Sequence, residues 1–510
     1  MAVKVFSCLA QGLEGKLVEV EADILRGMSE FSIVGLGDMA VQEAKKRIRS
    51  AIKNSGTIYP QQKKIINLAP ADLKKHGPQF DLPMAVALIA ASDQLKIQNL
   101  ENTLLIGELA LDGSVRPTNG ILTMAFFAKR NGWEKIIIPA NNFREAAMVK
   151  GLEIIPIDNL RELIEYVNNN IFPNNNARHK SDIDPNKPVQ PLSNNFVDFS
   201  DIQGQQQGKR ALEISAAGKH NLIFYGPPGV GKTLLAKALP GILPPLGEEE
   251  RFEVMQIYSL AGLLKPEHIY HFTRPFRQIH HSSSMVALIG GGSNIHPGEI
   301  SLAHHGVMFL DEIAEFPRPH LEALRQPLEE KEIFISRSAG TIRYPANFTL
   351  VAAMNPCPCG FSGDPKRACQ CTNQQILKYH KRISGPILDR FDLSIIIPRQ
   401  ELGVFLETEK ENSAMVRKRI NDVLKIQQQR FQHTATYSNG CMKPSEIKKN
   451  CPLTKENHQF MLEAGQKLLL SARAYHGILR VSRTIADLNK HDNIEMEDLA
   501  EALQYRPQNL

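Results

Sequence analysis

The sequence predicts an α/β fold in three parts: two α/β domains joined by a linker, and a helical domain after them. Strand-like runs such as "GKLVEVEADI" and "KKIINLAP" alternate with helix-like segments such as "AVQEAKKRIRSAIKNSG" in the first third of the chain. The strands "NLIFY", "GVMFL" and "FTLVAAM" mark a second α/β region. The last part shows apolar residues at helical spacing, namely Leu469, Ala472, Ile478, Val481, Ile485 and Leu488.

Length and composition agree with a globular protein of about three domains, because 510 residues exceed what one hydrophobic core supports. We place the domains at residues 1–168, 196–399 and 400–510, with a polar linker at 169–195. No apolar run approaches the ~20 residues that span a membrane, and the first residues lack the apolar core of a signal peptide. We therefore expect a cytoplasmic protein with no membrane partner. Its net charge of +6 permits a nucleic-acid partner without requiring one.

A glycine-rich loop in "NLIFYGPPGVGKTLLAKAL" is the strongest functional signal of the chain. It fits the pattern G-x-x-x-x-G-K-T between a strand and a helix, where backbone amides wrap nucleotide phosphates. Lys232 is expected to reach the β- and γ-phosphates of ATP, and the Thr233 hydroxyl is expected to ligate Mg²⁺. The predicted loop consists of Gly226, Pro227, Pro228, Gly229, Val230, Gly231, Lys232 and Thr233.

Two further strands end in residues suited to ATP hydrolysis. "GVMFLDEI" ends in Asp311, which is expected to hold Mg²⁺ through water, and Glu312, which is expected to act as general base. The alternative is an apolar strand that ends in an acidic helix cap. "FTLVAAMN" ends in Asn355, whose amide is suited to orient the attacking water, although by itself it would be a turn residue.

Four of the seven cysteines crowd into "CPCGFSGDPKRACQC", residues 357–371. The pairs Cys357–Cys359 and Cys369–Cys371, each with one residue between, can converge on a tetrahedral Zn²⁺ site. Such a site would be structural, because four thiolates leave no open coordination position. The alternatives are four free thiols or two disulfides, and a reducing cytosol disfavours the disulfides.

Adjacent histidines form two pairs, His280–His281 and His304–His305. Neighbouring side chains on a helix or strand point apart. We therefore expect these histidines to serve in loops or in the core rather than to bind a metal.

The sequence around these motifs resembles that of the Mg-chelatase-related AAA+ ATPases, in their bacterial ComM/YifB branch. The matching segments are "SSSMVALIGGGSNIHPGEISLAHHGVMFLDEI", "LVAAMNPCPCG" and "RISGPILDRFDL". The resemblance implies a homo-oligomeric ring, hexameric in this family, with ATP bound between subunits. It implies Arg390 as the arginine finger offered to a neighbour's γ-phosphate, with Arg382 as a second candidate. The alternative for Arg390 is a local ion pair with Asp389 or Asp392.

The same resemblance assigns a nucleotide contact to the helical domain. Arg480 in "ILRVSRTIADL" matches the position called sensor 2 in AAA+ ATPases. Arg483 lies one turn later on the same helix face and is the fallback for that role.

Two inserted segments are expected to face the pore of such a ring. The helix-breaking "LIGGGSNIHPGEI" looks like a loop inserted into a helix, and "EIFISRSAGTIRYPANF" predicts a hairpin before the strand of Asn355. Their polar and basic groups suit contacts with a DNA phosphate backbone, and these residues are Ser293, Asn294, His296, Arg337 and Arg343. The alternative is that the two arginines are ordinary solvated charges.

The first domain resembles the proteolytic domain of Lon-type proteases, a fold of the ribosomal S5 type, through "LIGELALDGSVRPTNGILTMAFFAKRNGWEKIIIPANN". That family places a nucleophilic Ser where this chain has Gln79, and its catalytic Lys where this chain has Leu122. Acyl-enzyme chemistry is not expected without a nucleophile and its base. The resemblance therefore implies a role in ring assembly or substrate contact. Similar domains occur in a recombination ATPase of the RadA type, which favours DNA.

Three classes of function remain. The favoured one is an ATP-driven helicase-type motor on single-stranded or branched DNA, acting in branch migration during homologous recombination and natural transformation, with recombination proteins as further partners. The second is the motor subunit of a metal chelatase, although that motor lacks a Lon-like domain and a cysteine cluster of this kind. The third is a protein-remodelling ATPase, which the missing Ser–Lys dyad and the lack of an aromatic pore loop disfavour.

Overall fold

A computed structural model describes residues 2–172, 196–265, 269, 273–292, 295–337, 340–400, 411–434 and 436–506. Most of the predicted linker lies outside the described residues, as do Ser293, Asn294 and residues 401–410. Of Arg337, only the backbone is described. In the described part, no helix combines the length and the apolar character needed to cross a membrane.

The first domain is built around a mixed seven-stranded sheet. In spatial order its strands are Phe31–Val34, Lys63–Ala69, Glu14–Leu25, Val3–Gln11, Thr103–Leu105, Lys135–Pro139 and Glu153–Ile157. Its α-helices are Met39–Asn54, Asp81–Ala91, Ile121–Arg130, Phe143–Ala146 and Leu160–Asn169. The helix Asp81–Ala91 packs against the two long strands and is buried along almost its whole length, which explains its continuous apolar sequence.

The second domain contains a five-stranded sheet in which all pairings are parallel. Its strands in spatial order are Phe276–Ile279, Val307–Leu310, Thr349–Met354, Leu222–Tyr225 and Leu393–Ile396. Its helices are Gln206–Gly218, Lys232–Ile242, Glu248–Leu260, Met285–Ile289, Glu299–Leu302, Arg318–Ala323, Arg325–Glu330, Asn373–His380 and Gly385–Leu388. The central strands are covered on both faces, which is why they read as unbroken apolar runs.

Two hairpins project from this core, at the positions that the sequence predicts. The short pair Gly290–Gly291 and His296–Pro297 interrupts a helix, which continues as Glu299–Leu302. The strands Glu332–Arg337 and Gly340–Pro345 form the second hairpin, just before the strand of Asn355. The Tyr344 hydroxyl donates a 3.1 Å hydrogen bond to the carbonyl of Ile295, so the two hairpins pack together.

The last part of the chain is helical, as predicted. Its helices are Ser413–Arg430, Pro444–Asn450, Lys455–Lys467, Ala472–Asn489 and Met496–Gln504. The long helix Ala472–Asn489 packs on the helix Gln206–Gly218 of the second domain. One hydrophobic core therefore runs through both regions, from Phe224 and Leu393 to Ile478 and Leu499.

The helix Glu248–Leu260 joins the first domain to the second. The rings of Phe252 and Phe126 have centroids 5.0 Å apart, and Met255 is fully buried in the core of the first domain. The carbonyl of Ser259 accepts a 3.1 Å hydrogen bond from the backbone of Gly120. These contacts position the first domain over the hairpin side of the second domain.

Candidate nucleotide-binding site

The predicted phosphate-binding loop lies at the carboxyl edge of the parallel sheet, between the strand Leu222–Tyr225 and the helix Lys232–Ile242. Gly229 and Gly231 have φ angles of 80° and 94°, in the left-handed region that favours glycine. A Cβ placed on either residue would meet no described atom within 4 Å. The loop therefore leaves open space on the side where a phosphate chain would bind.

Lys232 is 8% exposed and reaches back over the loop. Its Nζ donates hydrogen bonds to the carbonyls of Gly226 and Pro227, at 2.6 and 2.9 Å. Burial lowers the pKa of Lys232 to about 8, while the charges of Asp311 and Glu312 act to raise it. A phosphate at this position would favour the charged ammonium.

A hydroxyl and a carboxylate meet beside the loop. Thr233 Oγ1 donates a 2.9 Å hydrogen bond to Asp311 Oδ2. Hard oxygen ligands of this kind, with room for water, are those that Mg²⁺ prefers, so the residues present fit that ion. Glu312 is exposed and has a left-handed φ of 51°, which is strained for a side chain larger than glycine. Its charge acts to raise the pKa of Lys232, so its carboxylate lies near the same site.

Asn355 reaches the same edge because its strand runs parallel to its two neighbours. Its Oδ1 accepts a 3.0 Å hydrogen bond from Lys232 Nζ. The structure thus brings together Lys232, Thr233, Asp311 and Asn355 from three strands. An ammonium, an amide and a metal-binding pair around one open loop are suited to hold a triphosphate and to position a water molecule.

The four cysteines of the loop 357–371 converge. The Sγ atoms of Cys357 and Cys359 are 3.3 Å apart, and each lies 3.6 Å from Sγ of Cys369. All four sulfurs, that of Cys371 included, lie within 4.8 Å of one another. A tetrahedral zinc–thiolate site with Zn–S of about 2.3 Å has sulfurs about 3.8 Å apart, so this set fits Zn²⁺. Backbone amides of Gln370 and Phe361 lower the pKa of Cys359 to about 6, which favours the thiolate.

The cysteine loop touches the phosphate-binding loop. A Cβ on Gly360, whose φ is 83°, would lie 2.7 Å from Cδ of Pro228, so only glycine fits there. Asp364 anchors the other side of the loop through a 2.5 Å contact with Nε of Arg399. His380 Nε2 lies 2.9 Å from the carbonyl of Pro356, which follows Asn355. The cysteine loop therefore contacts the phosphate loop, and His380 holds the residue that joins Asn355 to the cysteine loop.

Comparison with known proteins gives full-length similarity. The family described as "Magnesium chelatase, subunit ChlI" matches residues 198–404, "Subunit ChlI of Mg-chelatase" matches 20–142, and "Magnesium chelatase, subunit ChlI C-terminal" matches 410–506. Competence protein ComM of Haemophilus influenzae is 43% identical, over 98% of this chain and 97% of its own. The uncharacterized protein YifB of Escherichia coli is 42% identical, over 98% of this chain and 95% of its own.

The chain belongs to the ComM/YifB family of Mg-chelatase-related AAA+ proteins. Membership implies ATP and Mg²⁺ as the ligands of the site built around Lys232. A Lon protease of Azospirillum brasilense is 24% identical over 30% of this chain and 20% of its own. This similarity agrees with the Lon-like α/β fold of the first domain.

Arg390, the candidate arginine finger, lies at the amino edge of the sheet. The amides of Asp392 and Leu393 both donate to the carbonyl of Asn221, just before the strand that leads to the phosphate loop. Strands of four residues separate the two edges by about 13 Å. Arg390 therefore stands at the opposite end of the sheet from Lys232. Its partner is Glu329, rather than Asp389 or Asp392 as the sequence alternative had it. Arg382, the second candidate, is half-exposed and pairs with Glu315 at 2.6 Å.

The two arginines of the helical domain also lie away from the phosphate loop. Arg480 Nη2 contacts Asp392 at 3.2 Å, and its Nη1 donates to the carbonyl of Gly440 at 3.0 Å. Arg483 is 3% exposed, and its guanidinium is bound to Asp487 and to the carbonyls of His491 and Asp492. The donors of Arg483 are therefore committed within the helical domain in this structure, and its role as a nucleotide contact stays a prediction.

Arg473 is a residue that the sequence reasoning missed. It is half-exposed, and its Nη1 lies 3.9 Å from Oε1 of Glu329, the carboxylate that also contacts Arg390. Arg473 precedes Arg480 by seven positions, two helical turns. That spacing places both arginines on one face of the helix. It is the sequence signal by which Arg473 could have been identified.

The predicted DNA contacts are described only in part. His296 is exposed on the first hairpin. Arg343 on the second hairpin has 65% of its side chain exposed and pairs with Glu332. A cavity of about 690 Å³ separates the hairpins from the first domain, and Gln79 lines it together with His296 and Tyr344. Leu122 is fully buried in the core of the first domain.

The prediction that adjacent histidines point apart is wrong for both pairs, because the ring centroids are 4.2 Å apart in the first pair and 3.9 Å apart in the second. In the second pair, His304 and His305, both Nε2 atoms contact Oε2 of Glu253, at 3.0 and 2.8 Å. His305 has a φ of 55°, which turns its side chain back towards that of His304. His304 Nδ1 accepts a hydrogen bond from the amide of Asn347, so its Nε2 carries the proton donated to Glu253. This tautomer suits a structural contact rather than a metal ligand.

Proposed function

We propose that this protein is an ATP-driven, ring-forming motor that moves on single-stranded or branched DNA. The observation that carries the proposal is the pairing of an ATP site, built from Lys232, Asp311 and Asn355, with two hairpins that expose His296 and Arg343. Basic and polar groups on projecting hairpins suit contacts with phosphates that carry no sequence information. The similarity to a competence protein supports the same class of function.

Hydrolysis would use the residues at the carboxyl edge of the sheet. Lys232 would bind the β- and γ-phosphates, and Thr233 and Asp311 would hold Mg²⁺, which supplies charge neutralisation when bound. Glu312, which is exposed, would take the proton of the attacking water. Asn355 would orient that water beside the γ-phosphate.

Completion of the site would require a neighbouring subunit. Arg390, Arg473 and Arg480 lie near the amino edge of the sheet, one strand length from the phosphate loop of their own chain. A guanidinium at this edge would stabilise the charge that develops on a neighbour's nucleotide. We therefore propose a homo-oligomeric ring, hexameric as in related ATPases, in which each subunit supplies the finger for the next.

The cysteine loop would hold structural zinc and support this geometry. Its contact with Pro228 links it to the phosphate loop, and Pro356, the residue before it, contacts His380 in the segment that leads towards Arg390. We place the protein in the cytoplasm, in homologous recombination and DNA integration during natural transformation, with branch migration as the action on DNA and recombination proteins as further partners.

The test is the ATPase rate without DNA and with single-stranded, forked or four-way DNA, at a fixed salt concentration. DNA should stimulate the ATPase rate of the wild type. The Lys232→Ala variant should show no ATPase activity with or without DNA. A rate that no polynucleotide changes would contradict the proposal.

A second candidate is the motor subunit of a metal-chelatase-like complex, which the three chelatase family matches favour. Stimulation by a tetrapyrrole-binding partner, and not by DNA, would support it. The third class, a protein-remodelling ATPase, would instead show stimulation by an unfolded polypeptide.

A further inference from the structure

Arg390 is enclosed within its own chain. Its side chain is 7% exposed, and its Nη2 contacts Glu329. Its Nε and Nη1 are buried without a hydrogen-bond partner among the described residues. A buried guanidinium with unused donors is costly, because the donors have lost water and gained nothing in return. This residue is therefore poised to take a further anion.

Glu329 holds two guanidinium groups at once. It lies near the end of the helix Arg325–Glu330, and its side chain is 52% exposed. Its Oε1 contacts Arg390 and is 3.9 Å from Nη1 of Arg473. Arg473 comes from the helical domain, so this carboxylate joins that domain to the segment before the last strand of the sheet.

A phosphate would satisfy this arrangement better than a carboxylate does. It carries more charge and more acceptor oxygens, and guanidinium groups bind it through two parallel hydrogen bonds. The nitrogens of Arg390 that lack partners could then be used. The half-exposed Glu329 is the member of the cluster that can swing into water at little cost.

We propose that Glu329 is an internal counter-anion, which occupies Arg390 and Arg473 in the free subunit and is displaced by a neighbouring subunit's nucleotide phosphate when the ring assembles. The proposal rests on the proposed function, in particular on Arg390 acting across a subunit interface. ATP-dependent assembly then competes with an ion pair inside each subunit. In an isolated subunit, Glu329 therefore keeps Arg390 occupied.

The test is assembly of the full-length chain, measured by sedimentation velocity over a range of protein concentrations, with and without a non-hydrolysable ATP analogue. Glu329→Gln should lower the concentration at half-assembly with the analogue about fivefold, since a competing half-exposed ion pair is lost. The same variant should lower the melting temperature of the nucleotide-free subunit, because Arg390 loses the one anion that pairs with it among the described residues. Opposite effects on the two readouts separate a counter-anion from a purely structural residue.

Glu330→Gln is the matched control, because Glu330 is the next carboxylate and accepts a hydrogen bond from Gln326. It should leave the assembly concentration unchanged. In an Arg390→Ala background, Glu329→Gln should lose its effect on assembly. If Glu329→Gln does not fold, Glu329→Asp, which withdraws the charge by one methylene, should shift assembly in the same direction.

Two failures are distinguishable. A wild type that does not assemble with the ATP analogue contradicts the proposed ring, and with it the counter-anion. A wild type that assembles, while Glu329→Gln assembles at the same or a higher concentration, overturns the counter-anion alone.

Discussion

Nζ of Lys232 lies 3.0 Å from Oδ1 of Asn355, although 123 positions separate the two residues in the chain. The contact joins the phosphate loop to the strand that is next to it in the sheet. A phosphate that engages Lys232 would release the Asn355 amide. The amide would then be free to orient water.

Asn355→Ala is expected to slow hydrolysis more than it weakens binding, because an orienting amide acts mainly in the transition state. We expect kcat to fall about 100-fold, the scale for one lost polar group at a reacting centre, with the nucleotide affinity nearly unchanged. Steady-state kinetics and binding of a fluorescent ATP analogue measure the two effects. Asn373→Ala, at the exposed start of a helix, is the control.

Nucleotide affinity is expected to fall as the pH rises through 8. The pKa of Lys232 is lowered to about 8 by burial, so the nucleotide-free loop loses its ammonium above that pH. Bound phosphate raises this pKa, so affinity should fall up to about tenfold per pH unit above 8 and stay level below it. Titration of a fluorescent ATP analogue between pH 7 and 10 measures the slope. A profile for Lys232→Arg with the same slope would rule out Lys232 as the titrating group.

Gly360→Ala is expected to weaken nucleotide binding, because its Cβ would press on the Pro228 ring at 2.7 Å and displace the phosphate loop. Gly363→Ala is the matched control in the same loop. Gly363 also has a positive φ, 74°, but a Cβ there would meet no described atom within 4 Å. Both variants should lower the melting temperature, through backbone strain. Only Gly360→Ala should raise the nucleotide Kd, and equal Kd values for the two variants would contradict the contact.

Zinc is expected at one ion per chain, and Cys369→Ser should lose it. Cys441→Ser should keep the metal, because Cys441 lies outside the four-cysteine cluster. Elemental analysis of the purified chains measures the stoichiometry. Removal of zinc by a chelator should lower the ATPase rate, since the loop contacts the phosphate loop and the residue before it, Pro356, contacts the segment towards Arg390. Wild-type protein without bound metal would exclude the site.

Arg343→Ala is expected to weaken DNA binding about equally for all sequences and to reduce the salt dependence of binding by about one phosphate contact. Fluorescence anisotropy with labelled single-stranded DNA at several salt concentrations gives both quantities. Arg325→Ala removes another exposed arginine, one that pairs with Glu322 and is not part of either hairpin. A similar loss of affinity in Arg325→Ala would show that only general charge is involved.

The sequence predicted most of what lies at the carboxyl edge of the sheet. The residues from Gly226 to Thr233, and the strand ends at Asp311 and Asn355, carry local patterns that require a particular backbone. Parallel strands must then bring them to one edge. The hairpins and the converging cysteines could likewise be predicted, because turn residues mark the hairpins and short spacings mark the cysteine pairs.

The opposite edge could not be predicted in the same way. Whether Arg473, Arg480 or Arg483 faces the sheet depends on how the helical domain packs, which no local pattern shows. The pairing of Arg390 with Glu329 joins elements about sixty positions apart. The convergence of His304 and His305 depends on a left-handed backbone at a histidine, which periodicity does not show.

The helix Glu248–Leu260 makes the ATPase core inseparable from the domain that precedes it. Removal of the first domain would expose Phe252 and Met255 to solvent and leave an apolar face that is prone to aggregation. Removal of the Lon-like domain would therefore require a different sequence on this face of the helix. Packing alone keeps that domain in place, whatever else it does.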